Sequence, residues 1–317
     1  AYLKSLSEVA QGKLDDAEVR MTKLNQADTT ADYFKKRSAL QIARISFEKK
    51  DFVKANTIYH DLRDFPLREK GRILLERAWS LYYLKGYSEA LGLLQAMKAP
   101  IYMVSATPER YVLEMLIYKE LCYYDKVSEV AREFYDVFGS AIKDIKKRHD
   151  LRKNPAINHM TMVNMRIQDM SNSVNQLRDE LRMVRDIDLK DYPYFKDILR
   201  RYQDKDQEVQ QRIYLAMQAM YPQISEQILD SEEQIKFLDY TAKLDALRIV
   251  RPGEDRDYKS EKMSYVKFDK VFWPVEKEYW TEELDDYRVL IKSQCDDAMP
   301  SSSNDENIIK QFGEEFK

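Results

Sequence analysis

Residues 52–59 read FVKANTIY and residues 87–94 read YSEALGLL. At this offset of 35 residues (52 to 87), Phe52, Ala55 and Tyr59 return as Tyr87, Ala90 and Leu94, and Ala43 returns as Ala78. Small residues with large apolar ones between them, spaced by three and four, let two antiparallel helices cross closely and stack on the next pair. Self-similarity at this length marks a helical solenoid, in which each unit buries its apolar face only against its neighbours. The expectation is an all-α chain that binds partners in preference to performing chemistry.

Helix pairs follow from the repeat. One unit covers 38–49 and 51–64 and is closed by Pro66. The next covers 68–85 and 87–98 and is closed by Pro100. Proline suits both ends because it lacks the next helical donor and clashes with the preceding turn. A looser unit follows at 109–123 and 126–138, with Tyr118, Val130 and Phe134 at the small, small and large positions and an inserted loop at 105–108. Gly12, Leu14, Ala17 and Met21 form the second half of a partial unit that begins at Tyr2. Period and residue types resemble the tetratricopeptide repeat over residues 1–138. The resemblance implies a solenoid of three repeats plus a partial one, assigned to 1–150, that holds a partner peptide or helix in its concave groove.

In such an array the first helix of each pair lines the groove. Here that face carries Arg37, Gln41, Arg44 and Phe47, then Arg72, Glu76, Trp79, Tyr82 and Tyr83, then Met115 and Lys119. Aromatic and arginine side chains bury much area while keeping a polar handle, which is why they dominate binding hot spots. These eleven residues are the candidate partner site. The competing expectation is that they meet downstream helices of the same chain.

After Pro155 the pattern changes. Met160, Val163, Ile167, Met170, Val174, Leu177, Leu181 and Val184 alternate in steps of three and four, a coiled-coil seam. A second stripe runs from Phe195 to Met220, and Pro222 ends or kinks its helix. Equal lengths and a short connection predict an antiparallel coiled-coil hairpin over 151–250. The run 224–250 is either its return to the solenoid or a third bundle helix. A seam this regular also offers self-association with another copy. Lys143, Lys146, Lys147, Arg148, Arg152 and Lys153 form one basic cluster, read as a solvated helix face.

Residues 251–295 read as an extended segment followed by a short helix that caps the helical core. Thr281 is the N-cap of that helix, and Trp280, Leu284, Tyr287 and Ile291 form its apolar face. The tail 296–317 is predicted to be disordered. The sequence Phe272-Trp273-Pro274, Glu278-Tyr279-Trp280 and Leu284-Asp285-Asp286-Tyr287 resembles envelope-associated tetratricopeptide proteins of adventurous-gliding type in gliding and predatory proteobacteria. This resemblance implies a periplasmic scaffold in an envelope or motility complex, the alternative location being the cytoplasm. It carries over no catalytic residue.

The remaining features exclude other classes. Seven glycines contain no phosphate-cradling loop, and no GxSxG elbow or CxxC pair occurs. His60, His149 and His159 have no metal-ligand spacing. Glu282, Glu283, Asp285 and Asp286 lie consecutively on one short element and cannot flank a sugar. No enzyme activity, cofactor or metal is expected. A net charge of −3 gives no nucleic-acid footprint, and no apolar run is long enough to span a bilayer. Cys122 is expected as a packed free thiol, since a bridge to Cys295 requires an oxidising compartment. The start at Ala1, within a helical pattern, implies a segment upstream.

Overall fold

The computed structural model describes residues 1–63, 65, 67–105, 107–162, 164–186, 194–249, 279 and 284–295. These residues form helices and turns, with no strand among them. The first eight helices pair as α1 (Tyr2–Ala10) with α2 (Leu14–Gln26), and α3 (Asp32–Glu48) with α4 (Phe52–Asp61). Next come α5 (Leu67–Tyr83) with α6 (Tyr87–Ala96), and α7 (Glu109–Glu120) with α8 (Tyr124–Lys146). Each packs on the next along the chain. A 3₁₀ stretch, Pro100–Ser105, leads into the inserted loop. Pro66 lies outside the described residues.

One turn geometry joins every pair. Its middle residue is left-handed: Gly12 (φ 74°), Lys50 (63°), Lys85 (60°) and Cys122 (62°). In each turn the amide after it reaches back to the first helix, as Lys13 N to Glu8 O, Asp51 N to Ser46 O, Gly86 N to Leu81 O and Tyr123 N to Tyr118 O. This is the Schellman closure, which satisfies the last free carbonyls of a helix and reverses the chain. Identical turns bring the repeat positions into register: Ala43, Ala78, Ala55, Ala90 and Leu94 are fully buried and Tyr59 nearly so.

Two differences from expectation follow Phe138. Helix α8 runs on to Lys146 because Phe138, Ala141 and Ile142 enter a core shared with Ile157, Ile224, Ile228 and Ile235. The predicted seam from Met160 is also broken. Helix α9 (Pro155–Thr161) ends before α10 (Met165–Asp186) begins. Asn154 caps α9 through the amides of Ala156 and Ile157, and Asn164 caps α10 through those of Arg166 and Ile167.

Helix α11 (Phe195–Ile249) is continuous through Pro222, so the proline does not end a helix. Its first half lies antiparallel to α10, bridged by Arg178–Asp206 at 3.1 Å and by Tyr202 donating to Glu180 at 3.1 Å. Ile167 and Val174 are buried in this contact region, yet an open cleft of about 410 Å³ lies between Met170, Leu177, Lys205 and Val209. Its second half packs on α7, α8 and α9. There Ile228, Ile235 and Ala242 are fully buried, Ser128 bonds Asp239 at 2.8 Å and Lys146 pairs with Glu232 at 2.6 Å. Residues 224–249 are therefore the continuation of the same helix, returning onto the stacked pairs.

Candidate functional site

The stack joins the predicted groove residues only in part. Met115 is 0% exposed in the core beneath α8 and α11, which corrects its assignment to a binding face. Lys119 is taken by α11: its Nζ donates to Thr241 Oγ1 at 2.7 Å and lies 3.6 Å from Asp245. The face expected to line a groove at the last pair is thus covered by the chain's own helix.

The arginines are internally bonded as well. Arg37 pairs with Glu69 at 2.6 Å and lies over the rings of Tyr33 and Phe65. Arg44 grips Glu76 with two bonds, at 2.9 and 2.8 Å, and Arg72 adds a third contact at 3.0 Å. Burial is the largest influence and works against the charged form of Arg44, but the hydrogen bonds and the charge of Glu76, with smaller contributions from Tyr59 and Tyr2, together outweigh it and its pKa is raised. These bridges tie α3 to α5. Gln41 is half-buried on the same face.

What remains open is aromatic. Phe52 stacks on Tyr83 at 4.5 Å and 12°, and Phe47 meets both rings edge-on at 5.3 and 5.8 Å. Trp79 lies 5.8 Å from Tyr82 and 6.2 Å from Tyr83, and Tyr82 continues to Tyr87. The ridge therefore follows the turns that join α3 to α4 and α5 to α6. Tyr83 is 50% exposed, and Leu84 next to it and Val53 next to Phe52 in sequence are exposed too. The Trp79 Nε1 is buried without an acceptor among the described residues. Burial raises the Tyr82 and Tyr87 phenols, so both are neutral hydrogen-bond donors at physiological pH. Phe52 and Tyr87 were legible as repeat positions but not as part of a surface.

A second constellation was not anticipated. Residues 284–295 cross α6 as a strap. Within 284–294, Leu284–Asp286 forms one 3₁₀ turn and residues 287–294 are not helical, which corrects the predicted short helix there. The reason is that the backbone pairs elsewhere: Val289 N donates to Ser88 O at 3.0 Å, Ser88 Oγ to Val289 O at 2.6 Å and Gln294 N to Leu121 O at 3.0 Å. Thr281 and Trp280 lie outside the described residues, as do residues 251–278, where the extended segment is expected, and the tail 296–317. Leu284 is fully buried against the α5–α6 core. Lys70 pairs with Asp285 at 2.7 Å, Arg77 donates to the Asp285 carbonyl at 3.0 Å and Arg63 pairs with Asp286 at 3.0 Å. At the far end Cys295 is disulfide-bonded to Cys122. The free thiol expected at Cys122 is thereby corrected: the left-handed turn position leaves Cys122 half-buried beside the strap.

Of the basic cluster, Lys146 is paired with Glu232, and Arg152 binds Asp150 and lies over the Tyr214 ring. Among the described residues no group of three His, Cys, Asp or Glu is placed to hold a metal, and no helix is long and apolar enough to cross a membrane. The chain matches no protein-family profile, no curated protein and no solved structure.

Proposed function

We propose that this protein is a non-catalytic scaffold for protein–protein interaction whose partner docks on the aromatic ridge of Phe47, Phe52, Trp79, Tyr82 and Tyr83. The half-exposed, stacked Tyr83 is the observation that carries the reading. A pre-ordered aromatic surface buries much area on binding while losing little side-chain entropy. The reading moves the partner away from Met115 and Lys119, which the chain uses internally. An oxidising compartment such as a bacterial periplasm fits the Cys122–Cys295 pair, because cytosolic thiols are kept reduced. The envelope role implied by the sequence resemblance belongs to the same proposal.

The test is a photoreactive side chain at position 83, with crosslinked proteins identified from envelope and cytosol fractions of the source cell. One crosslinked partner whose retention falls at least tenfold with Tyr83→Ala, at unchanged melting temperature, supports the site. Retention indifferent to Tyr83→Ala and Trp79→Phe overturns it. Two free thiols in chain isolated under alkylating conditions would overturn the compartment.

A second reading, self-association, is favoured by a different surface. Phe237, Tyr240, Leu244 and Leu247 repeat in steps of three and four on the outer face of α11 and are 37% to 72% exposed. The 160–184 seam offers less, since Ile167 and Val174 are already covered. Light scattering would show a dimer that Leu244→Glu with Leu247→Glu dissociates; a monomer at high concentration removes this reading.

A further inference from the structure

The surface of α6 that carries the strap has the construction of a peptide-binding site. Lys70 and Asp285 are only 12% and 9% exposed in their side chains, and Arg77 is buried. Among the described residues, the acceptors that meet Lys70 and Arg77 are Asp285 and Asn56. With the strap in place these cations are covered, and covering a cation is costly unless an anion accompanies it, so a segment that lies on this surface needs an acidic residue at the Asp285 position. Burial lowers the pKa of Arg77, and the nearby Asp285 and Asp286 charges oppose that shift.

The site also specifies an extended backbone. Ser88, in the first turn of α6, accepts the Val289 amide on its carbonyl and donates its hydroxyl to the Val289 carbonyl, which satisfies both main-chain groups of one residue. Gly92 permits main-chain contact: a Cβ there would lie 1.7 Å from the Tyr287 carbonyl oxygen. Leu284 fills an apolar socket built by α5, α6 and the Pro100–Ser105 turn. Socket, cationic clamp and backbone rail are consecutive, and together they read Leu-Asp-Asp-Tyr-x-Val.

We propose that this is a binding site for an extended acidic peptide of a partner protein, with the pattern Leu-Asp-Asp-Tyr-x-Val, and that the chain's own strap occupies it in cis. The Cys122–Cys295 bond sets the competition. It closes the strap at its far end, so the strap's effective concentration at the site exceeds that of a free peptide. The outer contacts are weak holders by themselves, since Arg63, Asp286 and Arg288 are about half exposed. The site is separate from the aromatic ridge, and its failure would leave that reading intact.

A fluorescent peptide with the sequence of residues 284–294 tests the site by anisotropy on the full chain. Four forms are compared: oxidised; reduced with dithiothreitol, which yields two thiols and closes to its own cyclic disulfide; Cys295→Ser carrying Leu284→Asp and Asp285→Lys; and that variant with Gly92→Leu. The oxidised chain is expected to bind at least tenfold more weakly than the reduced chain. The strap-disabled variant should bind tightest, and Gly92→Leu should abolish capture. A peptide with both aspartates replaced by lysine should bind at least tenfold more weakly. With each form's helicity and melting recorded beside its binding, the proposal is overturned by equal binding to folded oxidised and reduced chain, by binding that survives Gly92→Leu, or by no binding to the folded strap-disabled variant.

Discussion

Gly92 on α6 and Tyr287 on the strap are in main-chain contact, close enough that a Cβ on Gly92 would lie 1.7 Å from the Tyr287 carbonyl oxygen. The obstructing atoms are backbone, so no rotamer change relieves the clash, and the strap itself must move. Gly92→Ala is therefore expected to destabilise the oxidised protein by about 1–3 kcal/mol, the usual range for overpacking. Hydrogen exchange should locate the damage: the Val289 amide, bonded to Ser88, loses protection while amides in α3 and α4 keep theirs. Unchanged protection at Val289 would show that the strap does not approach Gly92 in solution.

The four pair-closing turns predict gains as well as losses. Lys50 and Lys85 occupy left-handed positions that a side chain with a Cβ adopts at a cost of about 1–2 kcal/mol. Lys50→Gly and Lys85→Gly should each stabilise by up to about 1 kcal/mol, part of the relief being lost to the greater freedom of glycine in the unfolded chain. Gly12→Ala should destabilise by a similar amount. Melting of the three variants reads the effect; a fall in stability for both lysine replacements would mean that their side chains contribute more than the turn strain removes.

Those turns also show what the sequence could not reveal. Pair boundaries were legible because Ala43, Ala55, Ala78 and Ala90 repeat with period, yet the shared turn was hidden, since its left-handed residue is glycine only at Gly12. The return of α11 was ambiguous because an apolar stripe such as Ile228, Ile235 and Ala242 looks the same whether it covers α8 or a second copy. The contact that decides it, Lys119 to Thr241, joins residues 122 apart. The strap was misread. Trp280, Leu284, Tyr287 and Ile291 fit a helix, but Tyr287, Val289 and Ile291 also alternate with a period of two, the extended signal that the structure follows in its backbone bonds to Ser88 and Leu121. Arg37 and Arg44 bond Glu69 and Glu76 one pair along, and a pairing across 32 residues leaves no mark in the local pattern.

Acid should loosen the N-terminal end through Glu18. Hydrogen bonds from Lys49 and then Lys54 hold its carboxyl below the ordinary glutamate range, with burial opposing them. A carboxyl depressed on folding contributes stability above its unfolded pKa of about 4.3, and that contribution is lost as pH falls through the lower folded value. The stability difference between the native chain and Glu18→Gln should accordingly be full at pH 7 and shrink below about pH 4.3. A difference that stays constant down to pH 3 would mean that these lysines do not bind Glu18 in solution.

Pro222 sets apart two environments on one helix. Before it, α11 lies along α10; beyond it, Ile224, Ile228 and Ile235 enter the core with α8 and α9. A proline in a helix interior leaves the carbonyl four residues earlier, here that of Gln218, without its donor, at about 3 kcal/mol relative to alanine. Pro222 is exposed, so its replacement leaves no core cavity. If the two halves share one axis, Pro222→Ala restores the missing bond and stabilises by about 1–3 kcal/mol, less the entropy that proline removes from the unfolded chain. If instead the core contacts of Ile228 and Ile235 require the bend that proline favours, straightening the helix pulls one half from its partner and the variant loses stability. Denaturant melting separates the two, and hydrogen exchange at Ile228 and Ile235 identifies which half was released.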